Sequence, residues 1–191
     1  MSKDTPVFYP ETMTAWRKWL DKNHLSEQAV WLVFHAKKSG RKTITWSEAV
    51  DVALCYGWID SKKVKVDEHT AHQFFSKRKA KSTWSKINKE KVDRLIDAGL
   101  MKPAGHAIIE IAKQNGSWTI LDDIEDLIIP DDLEAALKQH KGAMDYFMGL
   151  SKSIKKMMLY RIKAARQAAT REKRINEMAT LAAEQKKPKS F

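Results

Sequence analysis

Two segments of the chain combine aromatic and polar side chains in a way that suits the binding of a small anion. The first, residues 56–62, contains a tryptophan and an aspartate directly after a predicted helix. The second, residues 74–88, contains an arginine, serines and an asparagine that lead into another predicted helix. Arginine and the free N–H groups at a helix start both attract anions. The predicted ligand-binding residues are Trp58, Asp60, Arg78, Ser82, Trp84, Ser85 and Asn88.

The same residues have a structural interpretation, which the sequence leaves open. Serines commonly cap helices and tryptophans commonly fill cores. Asp60 can tie down a turn, pair with Arg78 or orient a ligand. Because a sequence does not show concavity, it does not distinguish a binding cleft from a set of packed side chains.

None of the motifs that mark common catalytic centres occurs in the sequence. The seven glycines are scattered, so there is no glycine-rich phosphate loop, and G-x-S-x-G and H-E-x-x-H are absent. On a strand, the three-residue spacing of His69 and His72 directs their side chains to opposite faces, which disfavours a shared metal. The single cysteine, Cys55, is predicted to be a small buried side chain. We therefore predict no metal and no cofactor, and favour a non-enzymatic function.

Positive charge is concentrated toward the end of the chain. The formal net charge is +11, and from residue 138 onward fourteen Lys and Arg face four Asp and Glu. Such a surplus favours contact with nucleic acid, a membrane surface or an acidic protein. An apolar stripe predicts amphipathic helices with a solvated basic face, and pairing with the acidic stretch 122–134 is an alternative. The predicted partner-binding residues are Lys152, Lys155, Lys156, Arg171, Lys173 and Arg174.

Hydrophobic periodicity predicts an α+β fold for the elements that must position these side chains. A helix over residues 12–23, a buried strand over 30–36 and a helix opened by a Thr45–Glu48 capping box precede a β-hairpin over 58–79. The pattern is helical from residue 82 onward. We predict a small antiparallel sheet packed with helices in the N-terminal part and an all-helical C-terminal part.

Four passages resemble the YdeI/OmdA (bacteriocin-protection, YdeI or OmpD-associated) family of bacterial proteins over nearly the whole chain. They are the stretch 30–53, the Gly-Trp-Ile-Asp turn at 57–60, the run 78–88, and the ending in which 162–166 is followed by 170–175. The resemblance implies a soluble accessory protein in envelope stress and in tolerance of cationic antimicrobial peptides. It supplies no catalytic residues.

The resemblance and the composition together predict three regions. These are an α+β region over residues 1–120, a basic helical OmdA-like region over 121–185 and a disordered basic tail over 186–191. No stretch is apolar enough to cross a membrane and no secretory signal is visible. One cysteine suits a reducing compartment, so a cytoplasmic location is expected.

The leading functional prediction is a stress-tolerance accessory protein linked to resistance to cationic antimicrobial peptides or bacteriocins. It would act by binding an anionic or envelope partner, such as an envelope protein or an anionic lipid. One alternative is a small-ligand binder or enzyme that uses the region around Trp58, Asp60, Arg78 and Ser85. A second alternative is a nucleic-acid-binding protein that uses the basic C-terminal helices, which is less favoured because few aromatic residues lie among the basic ones.

Overall fold

The tertiary structure, a computed structural model, describes residues 5–187 and divides the chain into two compact units between Thr119 and Ile120. Each unit has a hydrophobic core of its own. The predicted α+β class is confirmed, with the sheet in the N-terminal unit and only helices in the described residues of the C-terminal unit. Of the predicted basic tail, residues 188–191 lie outside the described residues.

The N-terminal unit contains a four-stranded sheet with the strand order β1-β2-β4-β3. Strand β2 (Ala29–His35) pairs antiparallel with β4 (Thr70–Lys77), which pairs antiparallel with β3 (Trp58–Lys65) as the predicted hairpin. Strand β1 (Val7–Phe8) pairs with β2 in parallel, so the sheet is mixed and not purely antiparallel. A two-residue strand carries no periodic pattern, which is why the sequence did not reveal it.

Four helices share one core with the inner face of this sheet. They are α1 (Met13–Asn23), α2 (Trp46–Cys55), α3 (Lys86–Asp97) and α4 (Pro103–Gln114). The capping box predicted for α2 is present, with both of its hydrogen bonds formed. The largest fully buried side chains of this core are Trp16, Leu20, Leu32, Leu54, Trp58, Phe75 and Trp84.

Gly57 forms the turn that carries the chain from α2 into β3. Its φ of +73° lies in the left-handed region that side chains with a Cβ disfavour. A Cβ atom there would also lie 3.0 Å from the carbonyl oxygen of Ala104 in α4. The Gly57 carbonyl accepts a hydrogen bond from the backbone N–H of Arg78, which joins the two ends of the hairpin.

The C-terminal unit consists of five helices within its described residues. Helices α5 (Asp122–Glu125) and α6 (Asp131–Lys138) are acidic at their starts, which suits the positive end of a helix dipole. They are followed by α7 (Ala143–Gly149), α8 (Lys152–Lys163) and α9 (Ala168–Ala183). No helix in the described part of the chain is long and apolar enough to cross a bilayer.

The sequence also predicts that Ser151 and Thr170 cap successive helices of the C-terminal unit, and the structure confirms only the first cap. Ser151 caps α8 as expected, since its hydroxyl accepts from the backbone N–H of Ile154. Thr170, however, lies inside α9 and does not cap it. The two alanines before it, Ala168 and Ala169, are the strongest helix formers, so the helix begins before the threonine.

Candidate functional site

The structure brings three of the seven predicted ligand-binding residues into one cluster. The guanidinium of Arg78 lies over the ring of Trp84, with 3.6 Å between its Cζ and the ring centroid. Its Nη1 donates to the hydroxyl of Ser82 and to the carbonyl of Thr83, each at 3.1 Å. Arg78 therefore cross-links the chain between β4 and α3.

Arg78 is a buried cation with no ion pair to any described carboxylate. The residue is 7% exposed, and its Nε has no hydrogen-bond partner within residues 5–187. Burial lowers the pKa of Arg78 to about 10, while the charge of Asp60 opposes that shift. The guanidinium still carries its charge at neutral pH, and its stacking on Trp84 compensates part of the lost hydration.

The other four residues of the predicted set are dispersed. Trp58 is fully buried and meets Trp19 edge-to-face in the core. Ser85 caps α3, because its hydroxyl accepts from the backbone N–H of Asn88. Asp60 lies apart from Arg78's hydrogen-bond partners and belongs to a different network. Ligand binding by this set stays a prediction.

An open cleft of about 500 Å³ lies at the end of the sheet near the start of α2. Phe34 and Ile44 supply apolar surface to it, and Thr43 and Thr45 supply hydroxyl groups. Trp46, the first residue of α2, also lines the cleft with half of its surface exposed. An apolar cleft with a few convergent polar groups is the usual form of a small-molecule site.

A hydrogen-bond network anchored on Asp60 shapes one side of this cleft. The Asp60 Oδ2 atom accepts from the Trp46 indole Nε1 at 2.8 Å and from the Gln73 Nε2 at 3.1 Å. Gln73 Nε2 also donates to the Ser61 carbonyl at 3.3 Å. Because both partners of Gln73 are acceptors, they require its amide nitrogen, and its amide oxygen makes no hydrogen bond with the described residues.

The strand register places a cation beside this glutamine. Gln73 lies opposite Leu32 in β2 and opposite Lys63 in β3, so the three side chains share one face of the sheet. Lys37, from the turn that follows β2, lies at the same cleft together with His35. Neither lysine side chain forms an ion pair or hydrogen bond with the described residues, and the cleft lining contains no carboxylate among them.

The sequence interpretation found Asp60 but missed the cleft that it supports. Trp46 and Gln73 are 14 and 13 residues away from Asp60, and no short motif links the three. The available signal was weak: a tryptophan directly after a capping threonine is an unusual choice for an exposed helix start. Only the strand register shows that Lys63 joins them.

Most of the predicted partner-binding cations in the C-terminal unit are engaged within it. Lys156 pairs with Glu125, and Arg171 pairs with Asp132 through two hydrogen bonds of 2.6 and 2.9 Å. Arg174 donates to a carbonyl in α8 and Lys155 to the Met148 carbonyl in α7. The other two, Lys152 and Lys173, are exposed, and no contact with a described residue is observed for either.

These ion pairs join the basic helices to the acidic stretch 122–134, which is the alternative that the sequence offered for their charge. Lys163 adds a further pair with Asp123 at 2.7 Å. Hydrogen bonds from Arg171 and Lys163 lower the pKa values of Asp132 and Asp123 below the ordinary range of aspartate. The basic helices therefore hold the acidic helices in place.

Counted by unit, the charge is distributed differently from the way the sequence suggested. Residues 1–119 contain twenty-one Lys and Arg against thirteen Asp and Glu, a formal charge of +8. Residues 120–191 contain fourteen against eleven, a formal charge of only +3. Most of the net charge of the chain therefore belongs to the unit that carries the cleft.

Cys55 and the histidines give no sign of catalytic use in the described structure. Cys55 is fully buried, and burial raises the pKa of its thiol although Arg17 Nη2 approaches the sulfur at 3.3 Å. A buried thiol of raised pKa is a poor nucleophile. Among the described residues, no group of three or more His, Cys, Asp and Glu is placed to hold a metal.

Fold and cleft together define a class: an α+β unit with an open basic cleft, followed by a helical unit whose charges are paired internally. A family described as Domain of unknown function (DUF8412) matches residues 8–108, more than half of the chain, and the chain belongs to this family. A second family, described as Bacteriocin-protection, YdeI or OmpD-Associated (OmdA), matches residues 126–185 and confirms the predicted resemblance. No curated protein and no solved structure matches the chain.

Proposed function

We propose that this protein is a non-enzymatic protection protein that supports tolerance of cationic antimicrobial peptides or bacteriocins by binding an anionic partner in the cleft of its N-terminal unit. The observation that carries the proposal is the cleft itself, which Lys37, Lys63 and His35 line and whose described lining holds no carboxylate. The OmdA match of the C-terminal unit supports the protective role.

The charge of the protein favours an indirect mechanism of protection. At a formal charge of +11 the chain repels cationic peptides, so it is poorly suited to sequester them. In the acidic stretch 122–134, which could attract them, Glu125, Asp123 and Asp132 are already paired with Lys156, Lys163 and Arg171. Binding of an anionic partner that takes part in peptide tolerance agrees with both the net positive charge and the pairing of the acidic stretch.

The cleft is a better binding surface than the basic helices of the C-terminal unit. Four of the six cations predicted to bind a partner there already form hydrogen bonds or ion pairs inside that unit. Recruiting them to a partner would break contacts that hold its helices together. Lys37 and Lys63 carry no such cost, because they form no ion pair with the described residues.

The test is growth under a cationic antimicrobial peptide in a bacterium from which the gene has been deleted. The strain is complemented with the full chain or with one of three variants that each remove two positive charges. In the cleft variant Lys37→Gln is combined with Lys63→Gln, and in the helix variant Lys152→Gln is combined with Lys173→Gln. The matched control is Lys18→Gln with Lys22→Gln, two exposed lysines of α1 without a partner among the described residues.

We expect the cleft variant alone to fail to restore tolerance, because each variant loses the same charge and only the cleft loses its cations. Loss of tolerance in the helix variant alone would transfer the partner-binding role to the C-terminal unit. Equal tolerance in the deleted strain and the complemented strain would refute the protective role.

A further inference from the structure

We infer that the cleft at the end of the sheet binds a nucleotide, with the base against Trp46 and the phosphate at Lys37 and Lys63. This inference deepens the proposed function, since it names the chemical class of the anion that the same cleft takes. It rests on three properties of the cleft: a fixed exposed indole, an unpartnered amide oxygen and a cationic rim.

Trp46 provides an aromatic surface that is both exposed and immobilised. The residue is 52% exposed although tryptophan is usually buried. Its Nε1–H is bound to Asp60 at 2.8 Å, so the ring is held in one orientation before any ligand arrives. Bases stack well on aromatic side chains, and a preorganised ring binds them with a smaller entropy cost.

Gln73 presents a hydrogen-bond acceptor to the cleft. The residue is 5% exposed and lines the cleft, and its amide nitrogen is used by Asp60 and the Ser61 carbonyl. Its amide oxygen therefore has no donor among the described residues and is open to a ligand in the cleft. The edge of a nucleobase carries N–H donors that match this oxygen.

Lys37 and Lys63 supply the positive charge that a phosphate requires. Both line the cleft without an ion pair among the described residues. His35 also lines it, with its ring packed edge-on against Tyr9 and 3.4 Å from the Thr70 hydroxyl. The Thr43 hydroxyl also lines the cleft, whereas the Thr45 hydroxyl donates to the Glu48 carboxylate at 2.8 Å in the capping box of α2. A volume of about 500 Å³ falls within the usual range for small-molecule sites.

Simpler anions use only part of this surface. Inorganic phosphate would occupy the lysines but leave Trp46 exposed and the Gln73 oxygen unpaired. A fatty acid would meet the apolar residues but offer no N–H donor to Gln73. A planar base joined to a phosphate uses all three features, which selects nucleotides over the other two classes.

The experiment is calorimetric titration of the full chain with the four common nucleoside monophosphates. Adenosine, inorganic phosphate and a short oligodeoxyadenylate are titrated in parallel. The variants are Trp46→Ala, Trp46→Phe, and the cleft and control lysine pairs of the complementation test. Trp46 is exposed and begins its helix, so its replacement removes little of the core.

We expect at least one monophosphate to bind more tightly than both adenosine and inorganic phosphate. Trp46→Ala should weaken it by about tenfold to a hundredfold, the usual effect of losing a stacked base. Trp46→Phe keeps an aromatic ring but loses the hydrogen bond to Asp60, so its affinity should lie between those of the natural chain and Trp46→Ala. The cleft lysine pair should lower the affinity and its salt dependence, and the control pair should change neither.

Two results would overturn the inference. One is the absence of binding for all four monophosphates and the oligonucleotide. The other is binding of phosphate and monophosphates with equal affinity that Trp46→Ala leaves unchanged. If the oligodeoxyadenylate binds far more tightly than the monophosphate through the same residues, the nucleotide that the cleft takes belongs to single-stranded nucleic acid. Equal affinities would identify free nucleotides.

Failure of the inference and failure of the proposed function give different results. If no nucleotide binds but the cleft variant still abolishes tolerance, the protective role stands and its anion is of another class. If a nucleotide binds through Trp46 and the lysines but deletion leaves tolerance unchanged, the site is real and the protective role is wrong.

Discussion

The two units of this protein are both rich in Lys and Arg but use these residues in different ways. In the C-terminal unit Lys156, Lys163 and Arg171 bind carboxylates that lie 31 to 40 residues away along the chain. In the N-terminal unit Lys37 and Lys63 lie at an open cleft and form no ion pair with the described residues. A run of basic residues is therefore not by itself a binding surface. A basic residue stays available to bind a partner only where the fold places no carboxylate beside it.

The largest expected effect concerns a carboxylate of the N-terminal unit that is both paired and largely buried. Asp51 of α2 binds Lys91 at 2.5 Å and Arg94 at 2.6 Å, both on α3. In Asp51→Ala the largely buried ammonium group of Lys91 has no carboxylate partner. We expect this change to lower the unfolding free energy by about 3 kcal/mol. Urea unfolding followed by tryptophan fluorescence measures it, because all seven tryptophans lie in this unit.

The control for that measurement is Asp97→Ala, which removes an exposed carboxylate at the end of α3. A carboxylate at a helix C-terminus opposes the dipole, so this change should leave the stability equal or slightly higher. If the two variants unfold alike, the contact between α2 and α3 does not depend on Asp51.

A smaller effect tests the internal pairing of the C-terminal unit. Arg171→Gln should lower its unfolding free energy by about 0.5–1 kcal/mol, since the pair with Asp132 is bidentate but partly exposed. Far-UV circular dichroism reports it, because this unit contains no tryptophan in its sequence. Lys173→Gln, on the same helix but exposed, should have no effect, and a loss as large as that of Arg171→Gln would show that general charge and not pairing matters.

The same pairs predict how the stability of the C-terminal unit depends on pH. The pKa values of Asp132 and Asp123 are lower in the folded protein than in the unfolded chain. Their contribution to stability is therefore complete at neutral pH and is lost as the pH falls below about 4. Circular dichroism across this range should show that Arg171→Gln loses less stability with falling pH than the natural chain does. An equal loss would mean that Arg171 does not lower the pKa of Asp132.

The smallest expected effect concerns the two lysines of the cleft in the N-terminal unit. Replacing Lys37 and Lys63 by Gln should change the unfolding free energy by less than about 0.5 kcal/mol, because the fold uses neither side chain. Urea unfolding by tryptophan fluorescence is again the measurement. A loss above about 1 kcal/mol would show that these lysines are structural and would remove the contrast between the two units.

Local chemistry made much of the fold predictable from the sequence. The Thr45–Glu48 capping box was found, because it depends on residues within one turn of the chain. The hairpin of β3 and β4 was predicted from alternation and turn residues. The parallel strand β1 and the start of α9 were missed, since neither has a local signal strong enough to define it.

The sequence by itself determined the α+β class, the OmdA resemblance, the net charge of +11 and the burial of Cys55. Only the tertiary structure decided which charges stay available. Asp60 meets Trp46 and Gln73 through strand register and helix placement, and Arg171 meets Asp132 across two helices. Both outcomes depend on contacts between distant residues, and the free energy of a charge depends on those neighbours and not on its position in the chain.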